Sequence, residues 1–140
     1  MRVLFDTNVV LDVMLDREPY SRVAAQLTSL VDSGSLEGFV CATTVTTIHY
    51  LATRAGGGKS AESHVRTLLE IFQVAPVDRE VIEDAVGLGF DDVEDAVLHE
   101  AAVMAGAAAI VTRNGTDFKR ATLAVFDPPE LLAAVLAAGA

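Results

Sequence analysis

The sequence predicts an α/β protein built on a parallel sheet of about five short strands, with helices covering both faces. Three observations lead there. Short apolar runs alternate along the chain with longer segments whose apolar residues recur at three and four. Glycine and proline punctuate the joints between them. Three groups of acidic residues sit just beyond apolar runs, where an open parallel sheet presents its shared crevice. With 140 residues, 51% of them hydrophobic, the chain is expected to form one domain, 1–140, with a full core.

The elements follow in order. Arg2–Phe5 reads as a first buried strand. Val9, Val10, Val13 and Met14 then recur at helical spacing. Pro19 stands near the start of a second helix, marked by Val23, Ala24, Leu27, Leu30 and Val31 and ended by Gly34. Phe39–Ala42 is the second strand, and Thr43 opens a helix through Ile48, Leu51 and Ala52. Gly56-Gly57-Gly58 breaks that helix, and Ser60 is expected to cap the next, through Val65, Leu68, Leu69 and Phe72. Val74–Val77 is a third strand, placed at an edge by Pro76. Arg79–Val86 is helical and stopped by Gly87 and Gly89. Asp92–Gly106 is a further helix, Ala108–Thr112 the fourth strand and Leu123–Phe126 the fifth. Pro128-Pro129 leads a closing helix through Ala138, with Leu131, Val135 and Leu136 toward the core.

Several classes are disfavoured. The apolar runs are too short to span a bilayer, which needs about 20 residues, and no signal peptide is evident. The expectation is a soluble, cytoplasmic protein with no membrane partner. One cysteine, Cys41, lies in an apolar run and reads as a small buried hydrophobe. A net charge of −10 argues against general coating of nucleic acid. No dinucleotide-binding, Walker-type or nucleophile-elbow motif is present, and His49, His64 and His99 lack metal-ligand spacing.

The acidic groups carry the chemistry. Asp6 follows Val3-Leu4-Phe5, so a strand would hold it rigidly; Asn8 can cap the following helix and leave Asp6 free. Asp91, Asp92, Glu94 and Asp95 crowd one helix start, where two acids would suffice for capping. Asp95 shares a face with His99 and Ala102 and is expected to point inward, with Asp92 joining it and Asp91 and Glu94 solvated. His99 is read as a packing residue within reach of Asp95. Asp117 follows the turn signal Asn114-Gly115, and Thr112 is placed to orient a carboxylate through its hydroxyl. Carboxylates brought together repel unless a cation intervenes, and hard oxygen ligands suit Mg2+ or Mn2+. Arg113, Lys119 and Arg120 give the crevice a positive rim suited to a phosphodiester.

Asp6-Thr7-Asn8, Asp92-Val-Glu94-Asp95-Ala96 and Thr112-Arg113-Asn114-Gly-Thr-Asp117-Phe118, in that order and spacing, resemble the PIN domain, the small ribonuclease fold that includes VapC-type toxins. The resemblance covers essentially the whole chain. It implies a PIN-like three-layer α/β/α sandwich with a central parallel sheet. It further implies Mg2+- or Mn2+-dependent hydrolysis of single-stranded RNA, a homodimer, and an antitoxin protein as partner in a type II toxin-antitoxin pair. Carried over by position, Asp6, Asp95 and Asp117 are the metal-site acids. With them the residues themselves suggest Asp92 as a further catalytic acid, Asn8, Thr47, Thr112 and Asn114 as supporting groups, and Arg113 and Lys119 as substrate contacts. One position departs: where the family usually has a glutamate, in the helix after the second strand, this chain has Thr47. Asp12 or Asp92 is the available substitute. A module that binds RNA or a protein without cutting is therefore the alternative. A haloacid-dehalogenase-like phosphatase would want an acid where Asn8 stands, and a phospho-receiver domain leaves the segment 112–117 unexplained.

Overall fold

A computed structural model describes residues 1–139. The chain runs β1 (Arg2–Phe5), α1 (Thr7–Met14), α2 (Ser21–Asp32), β2 (Glu37–Cys41), α3 (Ala42–Gly56), α4 (Gly58–Ile71), β3 (Gln73–Ala75), α5 (Arg79–Val86), α6 (Val93–Met104), β4 (Ala109–Val111), a 3-10 turn (Gly115–Phe118), β5 (Ala124–Phe126) and α7 (Pro128–Ala137). Among the described residues the five strands form one sheet in the order β3-β2-β1-β4-β5, and every pairing is parallel. The third strand lies at the edge, where Pro76 just beyond it disturbs no second neighbour.

Alternation along β1 divides the core into two layers. Val3 and Phe5 face one layer with Val9 of α1, Leu27 of α2, Ile48 of α3, Leu68 of α4 and Leu131 of α7. Leu4 faces the other with Val81 of α5 and Leu98, Ala101 and Ala102 of α6. The alanines of α6 let that helix lie close to the sheet. The architecture is thus the three-layer α/β/α sandwich expected from the alternation of strands and helices. Gly38 marks the tightest approach on the first face: a Cβ there would stand 2.7 Å from Val31 Cγ2 and 3.0 Å from Phe72 Cδ1.

The topology positions the site. Successive strands run outward from β1 to β3, then the chain returns to place β4 on the other side of β1. This reversal opens a crevice between the carboxyl ends of β1 and β4. Phe5 pairs in register with Val40 and with Val111, so Asp6 and Thr112 emerge side by side at the same level.

Some local expectations change. The second strand starts earlier, at Glu37, and stops at Cys41 because Ala42 already begins α3. Ser60 lies inside α4; Gly57, at φ 86°, makes the sharp turn between α3 and α4. Leu136 is exposed on α7, whereas Leu131 and Val135 are buried. Cys41 is buried and unpaired. Among the described residues no helix is long and apolar enough to cross a membrane.

Candidate active site

Asp6 follows directly from β1 and is itself the N-cap of α1. Its Oδ1 accepts from the Thr7 backbone N–H at 2.7 Å. Its Oδ2 accepts from the Thr112 hydroxyl at 2.7 Å and from Asn8 Nδ2 at 3.2 Å. Asn8 therefore does not take over the cap; it braces Asp6 and accepts the Arg113 backbone N–H on its Oδ1 at 3.3 Å. Thr112 in turn accepts the Asn114 N–H at 3.0 Å, tying the loop after β4 to the same carboxylate. Asp6 is 8% exposed, and burial raises its pKa against the lowering effect of its donors.

Asp95 lies in the first turn of α6, whose N-cap is Asp92; the Asp92 Oδ1 accepts the Glu94 N–H at 2.8 Å. Asp95 is partly buried, and its pKa is pushed up to about 7. Burial is the largest cause, followed by the charges of Asp6, Asp92, Asp117 and Glu94. Asp117 is carried by the 3-10 turn and is exposed. Phe118 beside it is buried against Phe90 and anchors that turn.

Asp6, Asp92, Asp95 and Asp117 line one cavity of about 380 Å3, together with Asn8, Thr47 and Asn114. Asp91 and Glu94 are both exposed, as expected, and Glu94 also borders the cavity. Among the described residues Asp6, Asp95 and Asp117 form no ion pair with a basic side chain. Among those residues, too, no three His, Cys, Asp or Glu side chains are drawn up as a finished ion cage. The acids share a cavity but stand apart, as uncompensated like charges should. The donor set nevertheless fits a hard divalent cation: carboxylate oxygens on two rigid helix starts and one adaptable turn. Thr47 reaches the cavity wall, but its hydroxyl proton goes to the Thr43 carbonyl at 3.1 Å, leaving only oxygen lone pairs to offer.

The basic residues are arranged differently from the sequence expectation. Arg113 is bound to Asp12, with Nε at 2.7 Å from Oδ2 and Nη2 at 3.2 Å from Oδ1, and so does not reach out as a free phosphate clamp. Lys119 and Arg120 are exposed and do not line the cavity. Asp12 is fully buried between Arg113 and Arg17, which removes it as a substitute for the missing acid. Arg17, missed in the sequence, lines the cavity and also donates to the Asn8 carbonyl at 3.2 Å. Its signal was available only in part: an arginine five residues after Asp12 is off the helical register, and it is the turn closing α1, with the Arg17 N–H on the Asp12 carbonyl at 3.0 Å, that brings it back. His99 does not bond Asp95; its Nε2 accepts the Thr122 N–H at 3.0 Å. Burial lowers its pKa, which favours the neutral ring.

Comparison with known proteins gives three findings. A family model described as the PIN domain matches residues 2–116. No curated protein matches the chain by sequence. Solved structures with the same fold include a VapBC complex from Rickettsia felis bound to a fragment of promoter DNA, at 13% identity and a TM-score of 0.71 over 91% of this chain and 98% of that one. A toxin-antitoxin complex from Klebsiella pneumoniae is similar at 22% identity and TM-score 0.70, covering 90% and 97%. A VapC toxin from Mycobacterium tuberculosis that cleaves the sarcin-ricin loop is similar at 15% identity and TM-score 0.63, covering 77% and 86%.

Proposed function

This chain belongs to the PIN-domain family, and from that premise we propose that it is a divalent-metal-dependent endoribonuclease acting on single-stranded RNA, as the toxin of a toxin-antitoxin pair. The observation that carries the proposal is the group of Asp6, Asp95 and Asp117 in one cavity, without basic partners among the described residues. Asp6, Asp95 and Asp117 would hold Mg2+ or Mn2+. When bound, the ion would supply charge neutralisation and an acidified water for phosphodiester hydrolysis.

The chain's own residues do the rest. Thr112 and Asn8 fix the Asp6 carboxylate through two hydrogen bonds to Oδ2, and Oδ1, which accepts only the Thr7 N–H among the described residues, keeps a lone pair to offer an ion. Asp95, with its raised pKa, exchanges its proton near neutrality, and proton loss readies it as a ligand. Asp92, held by the Glu94 N–H, places a further carboxylate at the rim, where it can accept a proton. Asn114 borders the cavity beside Asp117. Two guanidinium groups, Arg17 and Arg113, against the single Asp12 carboxylate leave a net positive cluster at the wall, which draws a phosphate toward the ion without either arginine leaving its partner. The solved toxin-antitoxin complexes of the same fold support an antitoxin as partner, and a homodimer belongs to the same proposal.

A second reading is favoured by Thr47 standing at the cavity wall where a further acid would serve, and by the separation of the carboxylates. In it the domain binds RNA or a protein and does not cut. The experiment is cleavage of a single-stranded RNA panel under Mg2+ and Mn2+ by the purified chain and by Asp6→Asn and Asp95→Asn. Metal-dependent cleavage lost in both variants supports the nuclease. Binding with no turnover favours the second reading, and full activity in the variants rejects the site.

A further inference from the structure

Beside the acidic cavity lies a second hollow of about 410 Å3, lined by Tyr20, Arg113, Asn114, Asp127, Pro128 and Pro129 among others. Arg113 and Asn114 line both hollows, so the two adjoin around the end of β4. Tyr20 is 44% exposed, so the core does not account for its ring. The guanidinium carbon of Arg113 lies 3.9 Å from that ring's centroid. The buried Asp12 holds the guanidinium from behind through two hydrogen bonds. The stack is therefore fixed before any ligand arrives.

The polar groups of the hollow are selective. Asp127 Oδ1 accepts the Glu130 N–H at 2.8 Å as the cap of α7, and among the described residues its other oxygen accepts no hydrogen bond. The Asn114 backbone is hydrogen-bonded, to Thr112 Oγ1 and from the Asp117 N–H, while its side-chain amide is exposed and makes no hydrogen bond among the described residues.

We propose that this hollow is a nucleobase subsite that receives the base flanking the scissile phosphate and favours one bearing an exocyclic amino group. The inference rests on the ribonuclease reading for the presence of an RNA strand. Aromatic rings and arginine planes stack unpaired bases, and the proline rings complete an apolar wall. The Asp127 carboxylate repels a phosphate but accepts from an amino group such as cytosine N4, and an asparagine amide matches adenine. Uracil would present a carbonyl oxygen in place of that amino group. A hollow of this size lies within the ordinary range for a small-ligand site.

The test uses two variants outside the acidic cavity. Tyr20→Leu keeps apolar bulk and removes the ring; Asp127→Asn keeps a helix cap and removes the charge. Non-cleavable tetranucleotides of 2′-O-methylcytidine and 2′-O-methyluridine are titrated in Mg2+ onto the full chain, alongside cleavage of mixed-sequence single-stranded RNA. The expected result is tighter binding of the cytidine oligomer. Tyr20→Leu should weaken it about tenfold, and Asp127→Asn should bring the cytidine-to-uridine ratio toward one. In cleavage, Tyr20→Leu should raise KM and leave kcat unchanged. Equal binding of both oligomers, unaltered by the variants, overturns the subsite even if RNA is cut. Tyr20-dependent preference for cytidine without any cleavage upholds the subsite and removes the nuclease reading instead.

Discussion

Asp6 is both the cap of α1 and a carboxylate of the candidate site, and the two roles separate by substitution. Asparagine is as good a cap as aspartate, so Asp6→Asn should fold within about 1 kcal/mol of the parent, while metal-dependent cleavage falls below detection. Asp6→Ala loses the cap and leaves the Thr112 hydroxyl without its acceptor, a loss of about 1–3 kcal/mol, read by chemical denaturation. Thr112→Val should weaken metal binding about 10- to 100-fold through loss of the orienting bond. At Asp95 the prediction concerns pH. Its folded pKa, about 7, lies above the ordinary aspartate value of 3.8, so the folded metal-free state holds this proton more tightly than the unfolded state. The group's favourable contribution is full below the ordinary value, declines as pH rises toward 7 and levels off above it. Metal-free protein should thus show a Tm that falls between about pH 4.5 and 7.5, a slope that Asp95→Asn flattens; an unchanged slope in that variant would refute the assignment. What the sequence disclosed at this scale were placements that follow from a neighbouring strand or turn: Asp6, Asp95 and Asp117 on one cavity, and the Thr112 hydroxyl on a carboxylate. What it did not disclose were pairings made by tertiary return of the chain. Arg113 looked like a free rim cation because Asp12, 101 positions earlier, is invisible to local pattern.

At the scale of elements, the strands and helices were legible because each carries its own punctuation. Asp78 caps α5 and accepts the Val81 N–H; Pro128 opens α7 behind the Asp127–Glu130 capping box. Boundaries were less legible where one element follows another without a break, as at Cys41 and Ala42, and the 3-10 turn that carries Asp117 has no periodicity to announce it. Two contacts between elements are decisive. Asp12 of α1 joins Arg17 and the segment after β4. Asp12→Ala leaves both guanidinium groups without that partner, and a loss of about 3–5 kcal/mol should appear as a fall in denaturation midpoint at unchanged slope. Gly38 of β2 permits α2 and the end of α4 to close on the sheet. Gly38→Ala should therefore destabilise by about 1–3 kcal/mol, since its new methyl meets branched and aromatic side chains that are themselves buried.

At the scale of the whole molecule, strand order turns scattered acids into neighbours. Had β4 been added beyond β3, Thr112 and Asp6 would stand on strand ends that are not neighbours; the reversal at β1 makes them neighbours at 2.7 Å. The parallel fold class foretold a shared crevice, whereas the strand order that makes it depends on long-range pairing that no local pattern encodes. For the proposed ribonuclease, a net charge of −10 on the chain sets an electrostatic condition: cation loading has to precede or accompany an RNA substrate. The most direct measurement is calorimetric titration of Mn2+ into the metal-free chain, repeated with Asp6→Asn and Asp95→Asn. Saturable binding by the parent that each variant loses is the predicted result. No saturable binding by the parent, or equal binding by all three proteins, would contradict a cation site built from these acids.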